Sequence, residues 1–402
     1  MAEKMRRVEE DKAIHAASFS SCYITLLKTS IGSGVLSFLF LFKTYGIATA
    51  TISTVVSGTF AVIGLVLYVL CAHEIGRSAT LSELALVRMP YTKIMVDFSV
   101  FLKCFGVALS YLIIARKLLP PYIETVFGRA HIVNPNILLV LFLAFVGPFC
   151  YFQKLDKLKY ISFCGILAIF FVIIATIYRY YYISIIYTCS VYFITPISTD
   201  YLGGFGKFVF SFTCHQNIFA VHSEMANNSV KRTNRLILAV ATSALVMYIT
   251  FGLFNYLLYG VAANTNIIRN YPNDVLASIV RGLYIVVVGV SYSLQVNPCR
   301  AYFVKMISYD KQRGKAVVNI CVTTLIIVLT YCIAVSGMNL GIVYTIVGAT
   351  ASTFIRLIFP SLFYFNMDIN RSVMLDILSY LSFLLGVFVF LAAILNVGRK
   401  YL

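Results

Sequence analysis

Charged residues are scarce in this chain, and acidic residues are scarcer than basic ones. Of its 402 residues 12% are charged, with 15 Asp and Glu against 32 Lys and Arg, whereas 60% are hydrophobic. Soluble domains carry roughly 25% charged residues, so this composition excludes a soluble globular protein of this length. It predicts an all-α polytopic membrane protein, because helices satisfy their own backbone hydrogen bonds in lipid.

The sequence also lacks the residue groupings that catalysis and metal binding require. Paired carboxylates, metal-ligand spacings and nucleophile-base pairs at one membrane depth are missing. We therefore predict no enzyme activity, no cofactor and no metal site. The ten cysteines fall mostly inside apolar runs, where cysteine acts as a small hydrophobic residue. The net charge of +17 is interpreted through topology, and no nucleic-acid partner is expected.

Apolar runs long enough to cross a membrane follow one another along the chain. A crossing helix needs roughly 20 apolar residues, which predicts about 11 transmembrane helices. They are placed at 22–42, 46–71, 97–119, 136–152, 160–179, 207–226, 236–260, 274–298, 316–335, 340–364 and 374–396, and are called spans 1 to 11 here. The stretch 180–206 is predicted to be interfacial, with a further crossing left open. The predicted domains are a short cytosolic tail, 1–21, and a transmembrane domain, 22–396.

Basic residues concentrate in alternate loops between the spans, which predicts the orientation of the chain. By the positive-inside rule the amino terminus is cytosolic. One cytosolic cluster is expected to meet anionic lipid headgroups; it contains Lys305, Lys311, Arg313 and Lys315. The sequence leaves the membrane open between the plasma membrane and a vacuolar or lysosomal one, and it does not predict an oligomeric state.

Span 1 contains a sequence at its middle that disfavours a continuous helix, Ile31-Gly32-Ser33-Gly34. Glycine costs roughly 1 kcal/mol against alanine inside a helix, so this stretch is predicted to unwind. Unwound backbone at membrane depth is tolerated where protein buries it or where it lines a cavity. The alternative is a close helix-packing surface built from small residues.

Span 6 carries the second predicted interruption. If five spans repeat the preceding five in inverted topology, the repeats cover about 22–179 and 207–364, and 374–396 is an extra helix. Span 6 then corresponds to span 1, and the polar triplet His215-Gln216-Asn217 lies near its midpoint. Polar groups there are costly unless they pair or face a cavity. Two interruptions in corresponding halves favour a transport site.

Several sequence strings resemble those of a known family. LLKTSIGSGVLSFLFLFKTYG in span 1 and FSFTCHQNIFAVHSEM in span 6 resemble signatures of the amino acid/auxin permease family. Further matches follow in order: FGVALSYLIIARKLLP, LDKLKYIS, NIIRNYPND, SYSLQVNPCR and LGIVYTIVGATASTFIRLIFPSLFY. The resemblance covers nearly the whole chain and is nearer to the proton-coupled and vacuolar members. It implies a leucine-transporter-like 5+5 inverted repeat with broken helices 1 and 6, and secondary active transport of amino acids.

The resemblance also implies which residues bind the substrate. In such a fold unwound backbone holds the carboxylate and amino group of the amino acid. This role is assigned to the two interruptions, with tyrosines of spans 3 and 8 as lids. The predicted substrate-binding residues are Ile31, Gly32, Ser33, Gly34, Thr213, Cys214, His215, Gln216, Tyr111 and Tyr292.

Lys28, one turn before the first interruption, is the residue that bears on ion coupling. It lies about 9 Å into span 1, where a lysine is costly unless it pairs. The resemblance implies a neutral asparagine at this position in sodium-coupled members of the family and a lysine in the proton-coupled and vacuolar members. We therefore predict sodium independence, with the ammonium bridging to Ser291 and Ser293 of span 8. The alternative is that Lys28 extends to the cytosolic interface.

Proton coupling has two candidate carriers in this sequence, His215 and Glu224. Histidine has an unperturbed pKa near 6.5, although a lone membrane histidine can equally be a structural hydrogen-bonding group. The predicted function is secondary active transport of amino acids, with small neutral ones as the expected cargo because no clear charge was assigned to the pocket. An amino acid sensor that uses the same binding site is the alternative function, and the corresponding interruptions argue against a channel.

Overall fold

The computed structural model describes residues 17–76, 79–128, 134–152, 158–183, 190–196, 200–227, 229–262, 271, 274–307, 314–367 and 372–401. Helices account for most of this part of the chain. Ala17 and Met225 form a short parallel bridge that joins the start of the described chain to the end of span 6. The tail residues 1–16 lie outside the described ranges.

The helices follow the predicted apolar runs. In chain order they are α1 (Phe19–Ile31), α2 (Ser37–Ile75), α3 (Leu81–Arg88), α4 (Lys93–Phe127), α5 (Pro135–Val146), α6 (Leu158–Ile183), α7 (Asp200–Ser211), α8 (His215–Glu224), α9 (Val230–Tyr259), α10 (Val275–Met306), α11 (Lys315–Val335), α12 (Leu340–Val347), α13 (Phe359–Phe365) and α14 (Val373–Tyr401). Two wide π-helical turns, Gly348–Ser352 and Phe354–Ile358, connect α12 to α13.

Many of these helices are long and apolar enough to span a bilayer. Within the described ranges eight helical stretches meet that condition, and Pro135–Tyr151 is a shorter apolar one. Spans 1 and 6 are each divided into two helices. The predicted all-α polytopic class is therefore confirmed, whereas the number of eleven crossings stays a prediction.

The end of span 1 and the start of span 2 meet at a sharp corner within α2. Gly46 has φ 78° and ψ 174° there, a conformation that favours glycine. The extended segment 190–196 covers this corner, because Ile47 and Ala48 donate their backbone N–H groups to the carbonyls of Tyr192 and Phe193. A Cβ atom at Gly46 would lie 2.8 Å from the Phe193 oxygen, so the corner needs glycine for space as well.

The predicted interfacial stretch 180–206 is shorter in the structure. Helix α6 continues to Ile183, and α7 already begins at Asp200, ahead of the predicted start at 207. The described part between them, 190–196, is not helical. Asp200-Tyr201 and the glycines after them thus extend the first half of span 6, while 184–189 and 197–199 lie outside the described ranges.

Helix packing brings the two broken helices together. Helix α4 packs along α10, and α2 packs along α9. Helix α1 packs against α6 and α9, while α7 packs against α12 and the wide turn after it. Of the predicted lipid-facing cluster, Lys305 lies in the last turn of α10 with its ammonium 5.1 Å from the Tyr302 ring centroid. Lys311, Arg313 and the Lys315 side chain are outside the described part.

Candidate functional site: two helix breaks around one cavity

The first break lies where the glycines predict it. Helix α1 ends at Ile31, and Gly32 turns the chain with φ 21° and ψ −135°. A short 3-10 turn, Ser33–Leu36, then leads into α2. Gly34 allows a close approach to the other break, because a Cβ atom there would lie 3.0 Å from the Ser211 Cα atom. The predicted interruption of span 1 is therefore confirmed.

The second break separates α7 from α8 at residues 212–214. Helix α7 ends at Ser211, and α8 begins at His215. The sequence prediction centred this break on His215-Gln216-Asn217, so the observed break comes just before the polar triplet, which forms the first turn of α8 instead. The break in span 6 is confirmed, with this shift in position.

Two buried cations bind the carbonyl groups at the end of α7. Arg356, which is 0% exposed, donates to the carbonyl oxygens of Phe208 and Val209 at 3.2 and 3.0 Å and also contacts Ser57. Lys103 of α4 donates to the Phe210 oxygen at 3.1 Å. The carboxyl end of a helix carries partial negative charge, so these cations stabilise α7 where the helix stops.

Two buried tyrosines bind the backbone of the breaks. The Tyr248 hydroxyl of α9 lies 2.7 Å from the Ser30 oxygen and 2.6 Å from the Ser211 oxygen, one on each side of the break region. The Tyr344 hydroxyl of α12 donates to the Ser33 oxygen at 2.7 Å. Carbonyl groups that a continuous helix would pair internally are thus satisfied by side chains from other helices.

The two breaks line one small cavity. Its volume is about 20 Å³, room for about one water molecule, so a bound amino acid requires the surrounding helices to move apart. The lining residues come from α1 and the first break, α4, the second break and its flanks, and α10. They are Thr29, Ser30, Gly32, Ser33, Gly34, Lys103, Val107, Tyr111, Phe210, Ser211, Thr213, Gln216 and Gln295.

Most of the predicted substrate-binding residues lie at this cavity. Gly32, Ser33, Gly34, Thr213, Gln216 and Tyr111 are part of its lining. Ile31 and Cys214 are buried beside it without lining it. The Tyr111 hydroxyl faces Gly32, since a Cβ atom on that glycine would lie 3.1 Å from it. This position suits the predicted role of Tyr111 as a lid over a ligand.

Two predicted binding residues face away from the cavity. The His215 Nε2 atom lies 3.1 Å from the Ala61 oxygen of α2, and its ring sits against Gly64. The Tyr292 hydroxyl is paired with the Thr330 hydroxyl of α11 at 2.9 Å. Neither side chain is part of the lining, so direct contact with a ligand would require these helices to rearrange.

Lys28 lies against α6 rather than α10. A Cβ atom built on Gly165 would lie 2.8 Å from the Lys28 Cε and Nζ atoms, so Gly165 leaves the space that the ammonium fills. Within the described ranges Nζ is buried and has no hydrogen-bond partner. The predicted bridge to Ser291 and Ser293 is therefore not formed, and the alternative of a lysine extended to the interface does not fit its 7% exposure.

The remaining candidate coupling residues are dispersed. Ser293 donates its hydroxyl to the Val290 carbonyl of its own helix at 2.9 Å, and Ser291 is buried on the same helix. Glu224 is the last residue of α8 and is exposed; its backbone oxygen accepts a hydrogen bond from Ala17. The structure does not bring these groups to one place with Lys28.

Several residues of this site were not assigned to it from the sequence. Sequence analysis did not assign Lys103, Tyr248, Tyr344, Gln295 or Arg356 to the site. Lys103 and Arg356 had a detectable signal, because a cation inside an apolar span requires partners. Tyr248 and Tyr344 had no such signal in the sequence, because nothing distinguishes them from the other tyrosines among the 28 in this chain.

Two broken helices that enclose a polar cavity inside an apolar bundle define a membrane transporter. Comparison with solved structures agrees. The chain superposes with a TM-score of 0.62 on MhsT, solved in complex with L-phenylalanine, at 14% identity over 94% of this chain and 99% of that one. A manganese transporter of Eremococcus coleocola gives 0.58 at 11% identity, covering 95% and 86%. Both have the leucine-transporter fold, which confirms the predicted fold class.

Sequence comparison identifies the family. The family described as transmembrane amino acid transporter protein matches residues 15–398, and the chain belongs to it. Vacuolar amino acid transporter 5 of Schizosaccharomyces pombe is 31% identical over 365 residues, 88% of this chain and 86% of its own. Its namesake in Saccharomyces cerevisiae is 28% identical, covering 86% and 87%. The sodium-coupled neutral amino acid symporter 2 of Danio rerio is 23% identical, covering 90% and 78%.

Proposed function

We propose that this amino acid transporter moves its substrate by alternating access around the two helix breaks, without sodium. The observation that supports this most strongly is the shared cavity: Gly32, Ser33 and Gly34 line it from one break, Thr213 and Gln216 from the other. An amino acid bound there contacts both broken helices at once. Relative movement of α1 and α8 would then open the site to one side of the membrane at a time.

The backbone of the breaks supplies the groups that a zwitterion needs. Helix α8 starts beside the cavity, and the unpaired N–H groups of a helix start favour a carboxylate. Carbonyl groups near the end of α1 suit an ammonium group, and Tyr248 and Tyr344 already hold Ser30 and Ser33 in position. Because these are main-chain groups, they bind the part that all amino acids share.

Sodium independence is supported by cations that the chain itself carries. In transporters with broken helices, carbonyl groups at half-helix ends coordinate the coupling ion. Here Arg356 and Lys103 already bind the carbonyl groups that end α7, and the Lys28 ammonium is buried near the end of α1. A sodium ion at either end would be repelled by a fixed positive charge.

We propose a proton as the coupling ion, with His215 and Glu224 as its carriers. The His215 ring contacts the Ala61 carbonyl of α2, so proton exchange there requires α8 to move relative to α2. That requirement links protonation to the opening of the site. Glu224 at the exposed end of α8 is placed to exchange a proton with solvent.

The proposed location is a vacuolar or equivalent organelle membrane, with the amino terminus in the cytosol. The relatives named vacuolar amino acid transporters in two yeasts support this location, and the distribution of basic residues supports the orientation. Tagged protein that reached the plasma membrane instead would contradict the proposal.

The test is uptake into proteoliposomes under pH and sodium gradients that are imposed separately. We expect radiolabelled amino acids to accumulate under a pH gradient without sodium, and Lys28→Ala to lose this accumulation. The matched control is Lys231→Ala, since Lys231 is exposed at the start of α9. Gel filtration verifies folding. Uptake that rises with external sodium at fixed pH contradicts the proposal, and binding without uptake in any gradient favours the sensor alternative.

A further inference from the structure

Lys103 gives the cavity wall a positive charge. It lies in α4 with 3% of its surface exposed and lines the cavity. Its Nζ atom is 3.1 Å from the Phe210 oxygen and 3.6 Å from the centroid of the Phe210 ring. Both partners are neutral, so they reduce the cost of burying the ammonium without cancelling its charge.

The other groups that line the cavity do not compensate this charge. The lining contains no Asp or Glu, and its remaining polar side chains are hydroxyls and the amides of Gln216 and Gln295. Ion pairs among the described residues include Arg88 with Glu74, Lys93 with Asp97 and Arg179 with Asp274, and Lys103 takes part in none of these three. Arg356 adds a second cation behind the Phe208 and Val209 carbonyls.

The position of Lys103 along α4 indicates which part of a ligand it meets. Tyr111 and Lys103 are two turns apart on one helix face, roughly 12 Å along the axis. Tyr111 is at the Gly32 end of the cavity, where the carbonyl groups near the end of α1 would hold the ammonium group. Lys103 is at the Phe210 end, so a substrate side chain that extends towards Phe210 would meet its ammonium group.

We propose that the preferred cargo is an amino acid with an acidic side chain, and that Lys103 determines this specificity. The inference rests on the proposed function and names its substrate class. A buried cation without a counter-charge is costly, and the side-chain carboxylate of glutamate or aspartate supplies that counter-charge. A cationic side chain would be repelled, and a neutral side chain would leave the Lys103 ammonium without a counter-charge. The expectation of small neutral cargo assumed a pocket without charge, and Lys103 removes that assumption.

The test compares glutamate with glutamine, which has nearly the same shape and no charge. Wild-type protein in proteoliposomes should take up glutamate with a kcat/KM at least about tenfold that of glutamine, and lysine should compete with neither. Lys103→Gln should remove this difference by lowering glutamate uptake about tenfold while glutamine uptake changes little. Lys103→Arg should keep the preference, since it keeps the charge.

Two results would overturn the inference. One is wild-type protein that prefers glutamine, which needs no variant to observe. The other is Lys103→Gln lowering glutamate and glutamine uptake equally, as a group that only caps the Phe210 carbonyl or binds the shared α-carboxylate would do. Thermal stabilisation of detergent-solubilised protein by each ligand is measured in parallel. Selective stabilisation by glutamate without uptake supports the inference and contradicts the transport proposal, and the absence of both contradicts both.

Discussion

The Tyr248 hydroxyl lies between the Ser30 and Ser211 carbonyl oxygens, one belonging to each broken span. A hydroxyl has one proton to donate, so the two oxygens share it. The Tyr248 ring also stacks on Phe38, with the centroids 4.2 Å apart. Tyr248 therefore couples the position of α1 to that of α7 through a single atom.

Removing this hydroxyl should weaken transport without unfolding the protein. Tyr248→Phe keeps the stacked ring and loses a hydrogen bond worth about 0.5–1.5 kcal/mol, so we expect kcat/KM for uptake to fall up to about tenfold. Tyr292→Phe is the matched control, since its hydroxyl pairs with Thr330 away from the cavity. Equal losses in the two variants would count against a specific role for Tyr248.

The close approach of the two breaks should not tolerate a side chain at Gly34. A methyl group there would lie 3.0 Å from the Ser211 Cα atom and 3.2 Å from its Cβ atom, and backbone cannot move aside as a flexible side chain can. We expect Gly34→Ala to abolish uptake in proteoliposomes while the protein still elutes as a single species in gel filtration.

The control for this prediction is Gly147→Ala. Gly147 has helical φ and ψ angles, and a Cβ atom there meets nothing within 4 Å, so uptake should be unchanged and stability equal or slightly higher. Normal uptake by Gly34→Ala would mean that the breaks do not need to approach this closely during transport.

Gly165 should affect ion coupling through Lys28. A methyl group at this position would displace the Lys28 ammonium, because it would lie 2.8 Å from Nζ. We expect Gly165→Ala to reduce accumulation driven by a pH gradient. If the effect passes through Lys28, adding Gly165→Ala to Lys28→Ala should cause no further loss, and a double-mutant cycle in the uptake assay measures this. Additive losses would show that Gly165 acts independently.

Arg356 should be required for stability rather than for one step of transport. Its guanidinium donates hydrogen bonds to Phe208, Val209 and Ser57, so Arg356→Met removes several buried hydrogen bonds from a charged donor, each worth about 1.5–3 kcal/mol. The Phe208 and Val209 oxygens keep the hydroxyls of Ser57 and Thr213 as donors. We expect a lower melting temperature in detergent and poor recovery of folded protein. Arg356→Lys should recover only part of the loss, since an ammonium lacks the planar fork that reaches several acceptors. A melting temperature equal to wild type would contradict this.

The two breaks differ in how far sequence reasoning could locate them. The break in span 1 follows from Gly32 and Gly34, whose backbone freedom and small size are local properties. Residues 212–214 contain neither glycine nor proline, so the second break was predicted from repeat symmetry and a polar triplet. The observed break lies just before that triplet. What holds α7 to its end at Ser211 is long-range: Lys103, Tyr248 and Arg356 are distant in sequence.

The direction of buried side chains was the part that residue order did not determine. Lys28 and His215 are both buried, but Lys28 faces Gly165 and His215 faces Ala61. A residue's depth follows from its place in an apolar run. The direction in which its side chain points depends on the rotation of the helix about its axis. A few residues of unwound chain before the helix change that rotation. The partners of these two side chains therefore could not be predicted from the sequence.

The wide turns between α12 and α13 determine the direction in which the Arg356 side chain points. In an α-helix each residue rotates the side-chain direction by about 100°, and a π turn takes up additional backbone before the next side chain points the same way. Gly348–Ser352 and Phe354–Ile358 flank or include Arg356, so they decide that its guanidinium faces α2 and α7. The number of residues in this stretch is therefore itself a structural constraint: a one-residue deletion there would turn the arginine away from the carbonyls it holds, even with every remaining amino acid unchanged.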